Sequence, residues 1–93
     1  MAASTRKRPY TVVFKSLTNG NFGEAHYGPP PKIIINKSLL KPGKARALLG
    51  TLIHETLHLA GAGQYLHEEA VLELEAALER QLWAAGYRRV ETE

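Results

Sequence analysis

The hydrophobic residues of this chain change their period once, at Ser38, and that change divides 93 residues into a strand-forming part and a helix-forming part. Before Ser38 the apolar residues come in short β-branched and aromatic runs. Tyr10 to Leu17 (YTVVFKSL) favours a strand, and Thr18-Asn19-Gly20-Asn21 follows with turn chemistry. Phe22 to Tyr27 (FGEAHY) makes a short second strand. Gly28 and three prolines interrupt it before Lys32 to Asn36 (KIIIN), a compact apolar third strand. After Ser38 the spacing becomes three and four. Pro42 and Gly43 precede Ala45, Leu48, Leu49, Leu52, Ile53, Leu57 and Ala60, which predicts a first helix over about residues 43–60. Gly61-Ala62-Gly63 supplies residues that tolerate the positive φ ending a helix. A second helix is predicted over about residues 67–85. Its stripe is Val71, Leu74, Leu78 and Leu82, flanked by Leu72 and Trp83, and Gly86 is its stop. The expected fold is α+β: a small three-stranded sheet packed on two helices, in one domain over residues 10–93 behind a flexible basic arm at residues 1–9.

Composition narrows the chemistry. There is no cysteine, so disulfides, thiol catalysis and Cys-ligated metals are excluded. All nine acids are glutamate, so the metal-ligand types present are His and Glu. No apolar run approaches the roughly 18 residues of a membrane span, and the charged N-terminus MAASTRKRPY has no apolar segment behind it, so a cytoplasmic protein is expected. The net charge of +3 joins unlike halves. Residues 1–46 hold nine Lys/Arg and one Glu, whereas residues 47–93 hold three Arg and eight Glu. The basic half, with Arg6, Lys7 and Arg8 in the arm, offers a surface for nucleic acid. Scattered lysines are more commonly a solvated face.

Within the first helical segment stands His54-Glu55-Thr56-Leu57-His58, an H-E-x-x-H. Residues four apart share one helical face, so both imidazoles can reach one metal ion. Glu55, rotated by about 100° from His54, is placed to reach a water on that ion rather than the ion itself. From the chain's own composition, roughly 0.016 such matches are expected by accident, which makes two unrelated packed or solvated histidines the weaker explanation. Ala47, Gly50 and Gly61 near that face carry little or no side chain, which leaves room beside the histidines.

Catalytic zinc normally takes three protein ligands and leaves a fourth position open. Gln64 stands where H-E-x-x-H-x-x-G-x-x-H would need its last histidine, so that pattern fails. A loop of about six residues reaches up to ~20 Å, enough to fold the second helix back beside His58. Helical angles set Glu68 between Val71 and Leu72, facing the interior, and Glu69 about 100° further out. Glu68 is therefore the expected third ligand, with Glu69 and His67 as alternatives; otherwise both acids serve the helix dipole.

An H-E-x-x-H followed by a glutamate on a second helix resembles the zincin metallopeptidases in their gluzincin arrangement. The order of three strands, motif helix and glutamate helix is similar to small SprT-like and minigluzincin-type metallopeptidases of bacteria and phages. The resemblance covers roughly residues 10–85, with His54, Glu55 and His58 as its motif-specific residues, and the interval from His58 to Glu68 is shorter than in larger gluzincins. It implies a minimal zincin-like fold, a Zn2+ cofactor, peptide-bond hydrolysis, and a substrate strand along the sheet edge. Phe22, Gly23, Glu24, Ala25, His26 and Tyr27 are the residues expected to form that edge and bind unfolded or flexible polypeptide. Glu55 is the expected general base. His67, Tyr65, Tyr87, His26 and Tyr27 are the candidate donors to the oxyanion. The rival expectation is a zinc-stapled module that binds nucleic acid or protein without cutting it.

Overall fold

Ile33, Ile34 and Ile35 are consecutive and all buried, a pattern that only a strand covered on both faces can satisfy. In the computed structural model, which describes residues 9–18 and 20–89, they form the middle of β3 (Lys32–Asn36). β3 is also the central strand of a three-stranded mixed sheet in the order β1-β3-β2. β1 (Thr11–Lys15) runs parallel to it, with Thr11 opposite Lys32 and Lys15 opposite Asn36. β2 (Gly23–His26) runs antiparallel, with Gly23 opposite Ile35 and His26 opposite Lys32. The first two strands are therefore both edges. They are shorter than the stretches Tyr10–Leu17 and Phe22–Tyr27, whereas the third matches the expected limits. The arm at residues 1–8, including Arg6, Lys7 and Arg8, lies outside the described residues.

Asn36 closes β3 and starts the next element. Its Oδ1 accepts a hydrogen bond from the Ser38 amide at 3.0 Å and caps a 3₁₀ turn over Lys37–Leu40. That turn drives Leu39 into the core beside Ile33, Ile35 and Leu48. Helix α1 (Ala45–Leu59) supplies Leu48 and Ile53 to the buried set, each worth ~1.5–3 kcal/mol on burial. Gly61, at φ 82°, breaks the helix where a residue with a Cβ would be strained, and a short helix α2 (Ala62–Tyr65) follows. Helix α3 (Glu68–Ala84) then returns alongside α1 and ends before Gly86, at φ 91°. No described helix is long and apolar enough to cross a membrane.

The orientation of α3 departs from its hydrophobic pattern. Leu74 and Leu78, half of the expected inward stripe, are 38% and 36% exposed, and no residue of the helix is fully buried. Glu75 and Glu79 are half-buried and turned toward α1, where they meet His54 and Arg46. These pairs fix the orientation of the helix, and two of its leucines are left partly in water. Glu68 shares the helical face of Glu75, seven residues on, but stands in the exposed first turn of α3 rather than facing the interior.

Sheet and motif helix touch at Gly23. A Cβ there would stand 2.7 Å from the Thr51 methyl, 3.2 Å from Glu55 Cγ and 3.2 Å from the Ile34 carbonyl oxygen. Gly23→Ala should therefore lower unfolding stability by ~1–3 kcal/mol in urea titration, the range for overpacking a tight site. Gly63→Ala, where nothing lies within 4 Å and φ is not positive, should be neutral or stabilise by ~0.4–1 kcal/mol. Equal midpoints for the two variants would refute the close approach.

Candidate metal centre

The contact at Gly23 seats β2 along the motif. The start of the strand lies against Thr51 and Glu55, and just past its end the Tyr27 hydroxyl donates to the His58 carbonyl at 3.3 Å. One edge of β2 is bonded to β3, and the other carries no strand among the described residues. The motif is thus flanked by a free strand edge made of the residues expected to form it, with Phe22 and Tyr27 as its exposed aromatic ends.

His54 and His58 converge. Their Nε2 atoms are 3.0 Å apart, and the rings meet edge-on at 76° with centroids 4.5 Å apart. The protonation pattern follows from the neighbour behind. His54 Nδ1 lies 2.7 Å from Glu75 Oε2, and an ionised carboxylate can only accept, so Nδ1 carries the proton. In the neutral ring Nε2 of His54 then presents a lone pair toward Nε2 of His58. Two lone pairs at this distance repel unless a proton or a metal cation lies between them. Two imidazoles on one tetrahedral zinc, each about 2.05 Å from the ion, would stand about 3.3 Å apart. The observed pair is within a few tenths of an ångström of that, and neutral imidazole is a suitable zinc donor. The pair therefore fits a zinc ion as two of its ligands, with the Glu75 carboxylate fixing the tautomer of one of them.

No third His, Asp or Glu joins these two nitrogens as a ligand group among the described residues. Glu75 reaches the back of the His54 ring instead. Glu68, Glu69 and His67 are exposed around the start of α3, where they line a separate recess with Ala70, and none is bonded to His54 or His58. Of the candidate donors, Tyr27 stands beside His58, and His26 is paired with Glu24 at 3.0 Å. Tyr65 and Tyr87 are 82% and 62% exposed and make no hydrogen bond to the motif.

Glu55 occupies the most constrained position of the motif. It is 7% exposed and makes no hydrogen bond or ion pair with a described residue. No buried side-chain oxygen lacks a partner among the described residues, so the carboxylate of Glu55 keeps its contact with solvent. What remains accessible of Glu55 opens into a recess of about 660 Å³ between the start of β2, α1 and α3. His54, Glu75, Gly50, Arg46 and Glu79 also line it. Glu75 and Glu79 were not among the expected site residues. Their spacing of four on α3, matching His54 and Gly50 on the antiparallel α1, is the signal that could have found them.

If Glu75 fixes the tautomer, Glu75→Ala should release His54 toward the Nε2-protonated form, read from imidazole nitrogen–proton couplings by NMR of the metal-free protein. An unchanged tautomer would remove Glu75 from this role. Comparison of the chain with protein-family models, curated proteins and solved structures finds no match in any of the three.

Proposed function

We propose that the chain is a zinc-dependent peptidase acting on unfolded or flexible polypeptide. The observation that carries this reading is the pair of Nε2 atoms 3.0 Å apart on the helix of Glu55, a largely buried residue whose carboxylate has no partner among the described residues. His54 and His58 would hold the zinc, which when bound supplies Lewis acidity toward water and the scissile carbonyl. Every other task falls to the chain itself. Glu55 takes the proton of the attacking water and passes it to the leaving amine. Glu75 holds His54 by Nδ1 so that Nε2 remains a lone-pair donor. The Tyr27 hydroxyl, at 3.3 Å from the His58 carbonyl, is the phenolic donor placed to turn toward an oxyanion. The free edge of β2 would take an extended segment by strand addition, and a compact protein has no such segment to give. This is why unfolded chains are the proposed substrates.

Glu68, Glu69 and His67, the expected third ligands, line a recess apart from the two histidines, so Glu75 is the residue of α3 proposed to bear most on zinc affinity, through His54. Glu75→Ala should weaken zinc binding by about 10–100-fold, while Glu68→Ala, Glu69→Ala and His67→Ala change it by under about threefold, measured by competition with a chromophoric chelator. A larger loss for Glu68→Ala than for Glu75→Ala would assign Glu68 to the metal.

The purified protein should hold about one zinc per chain, and His54→Ala or His58→Ala should abolish it, since each removes a first donor that no cysteine can replace. Glu55→Gln should keep the zinc and the unfolding midpoint but cut denatured protein at least about 100-fold more slowly, because the amide cannot accept the proton. Full occupancy in either histidine variant refutes the centre. A zinc-loaded, folded protein that leaves denatured substrates intact and binds DNA with a steep salt dependence would favour the binding-module alternative.

A further inference from the structure

The recess that opens from Glu55 and His54 continues to the first turns of α1. Eight residues separate Arg46 from His54, a helical rise of about 12 Å, so the recess is long enough for an extended side chain lying along the helix. Its floor is small: Gly50 stands midway, and a Cβ built on it would meet nothing closer than Glu79 Cγ at 3.8 Å. Its walls are anionic. Glu55, Glu75 and Glu79 face a single fixed cation, Arg46, which is already paired with Glu79. Of the three carboxylates, Glu55 belongs to a residue more than nine-tenths buried, has no partner among the described residues and lines the recess.

Arg46 also has a second resting place. Its guanidinium lies 5.7 Å from the centroid of the Trp83 ring, on the same side of α3 as Glu79. The ring already carries the Arg88 guanidinium at 3.3 Å, and Arg46 would stay beside the same ring if its carboxylate were taken by another cation.

We propose that this recess is a subsite for a basic side chain, lysine or arginine, of the bound polypeptide, and that Glu79 is the residue that selects it. The proposal rests on the peptide-binding reading of the motif. Glu79 exchanges Arg46 for the incoming cation, Arg46 remains against Trp83, and the glycine at position 50 supplies the depth for the methylene stem. An acidic side chain would meet net negative charge, and an apolar one would leave Glu79 with Arg46 and gain only contact with Gly50 and Ala47.

The test uses the metal-free protein, in which binding is read without turnover and Glu55 keeps its charge, and three unstructured peptides that differ only in one residue: lysine, norleucine or glutamate. Trp83 is the single tryptophan and its ring lies 5.7 Å from the Arg46 guanidinium, so its fluorescence reports displacement of Arg46. The lysine peptide should bind about 10-fold more tightly than the norleucine peptide, the size expected of one charge-assisted contact, and the glutamate peptide most weakly. Adding Glu79→Gln should bring the lysine-to-norleucine ratio to about 1, and Gly50→Leu should lower affinity for lysine while leaving the unfolding midpoint in place. Equal affinities for the three peptides, or a lysine preference that survives Glu79→Gln, overturns the subsite. Cleavage by the zinc-loaded protein is scored separately. Hydrolysis without a basic preference leaves the peptidase reading standing and removes the subsite, whereas selective binding of the lysine peptide with no hydrolysis does the reverse.

Discussion

Helix α1 has to serve two neighbours at once, and the rest of the molecule is arranged around that demand. One side must bury Leu48 against Ile33, Ile35 and Leu39, because β3 exposes almost nothing and needs cover on that face. The adjoining side must leave His54 and His58 accessible to a ligand. A helix of 15 residues can do both only if its neighbours come close in some places and stand away in others. Gly23 provides the close approach, and Gly50 and Ala47 provide the space. The absence of side-chain bulk at three positions thus decides where a cleft can exist in so small a protein.

Polar pairing then sets the second helix. α3 buries none of its residues fully, so its position is not fixed by a hydrophobic seam of the usual kind. It is held against α1 by Glu75 on His54 and by Glu79 on Arg46, with Trp83 near Arg46. Exposed ion pairs contribute little to stability. Their value here is in orientation: the same two carboxylates that hold the helix also line the recess beside Glu55. Leu72, Leu74 and Leu78 are left partly in water as a result.

The chemistry of the site depends on what each charged group lacks. His54 has an acceptor on one nitrogen and none of its own on the other, which directs Nε2 at His58. Glu55 has no partner, so its lone pairs stay available. A fully satisfied network at this place would have been more stable and chemically idle.

Much of this was legible in the sequence because it rests on local periodicity. KIIIN is apolar at three consecutive positions and became the central strand at the expected residues. The limits of α1 and α3 lie within two residues of those read from the spacing of leucines and the positive-φ glycines. The sharing of one face by His54 and His58 follows from helical geometry alone, whatever surrounds the helix. Tertiary structure decided what periodicity cannot encode. Amphipathic spacing ranks the faces of α3 by hydrophobicity, and by that ranking Leu74 and Leu78 turn inward. The chain instead turned Glu75 and Glu79 to α1, because a charge on one helix is placed by its partner on another, and that partnership has no period along the chain. Strand order was decided in the same way: nothing within YTVVFK or GEAH states that both would be edges, since pairing depends on which strand can cover β3 from each side.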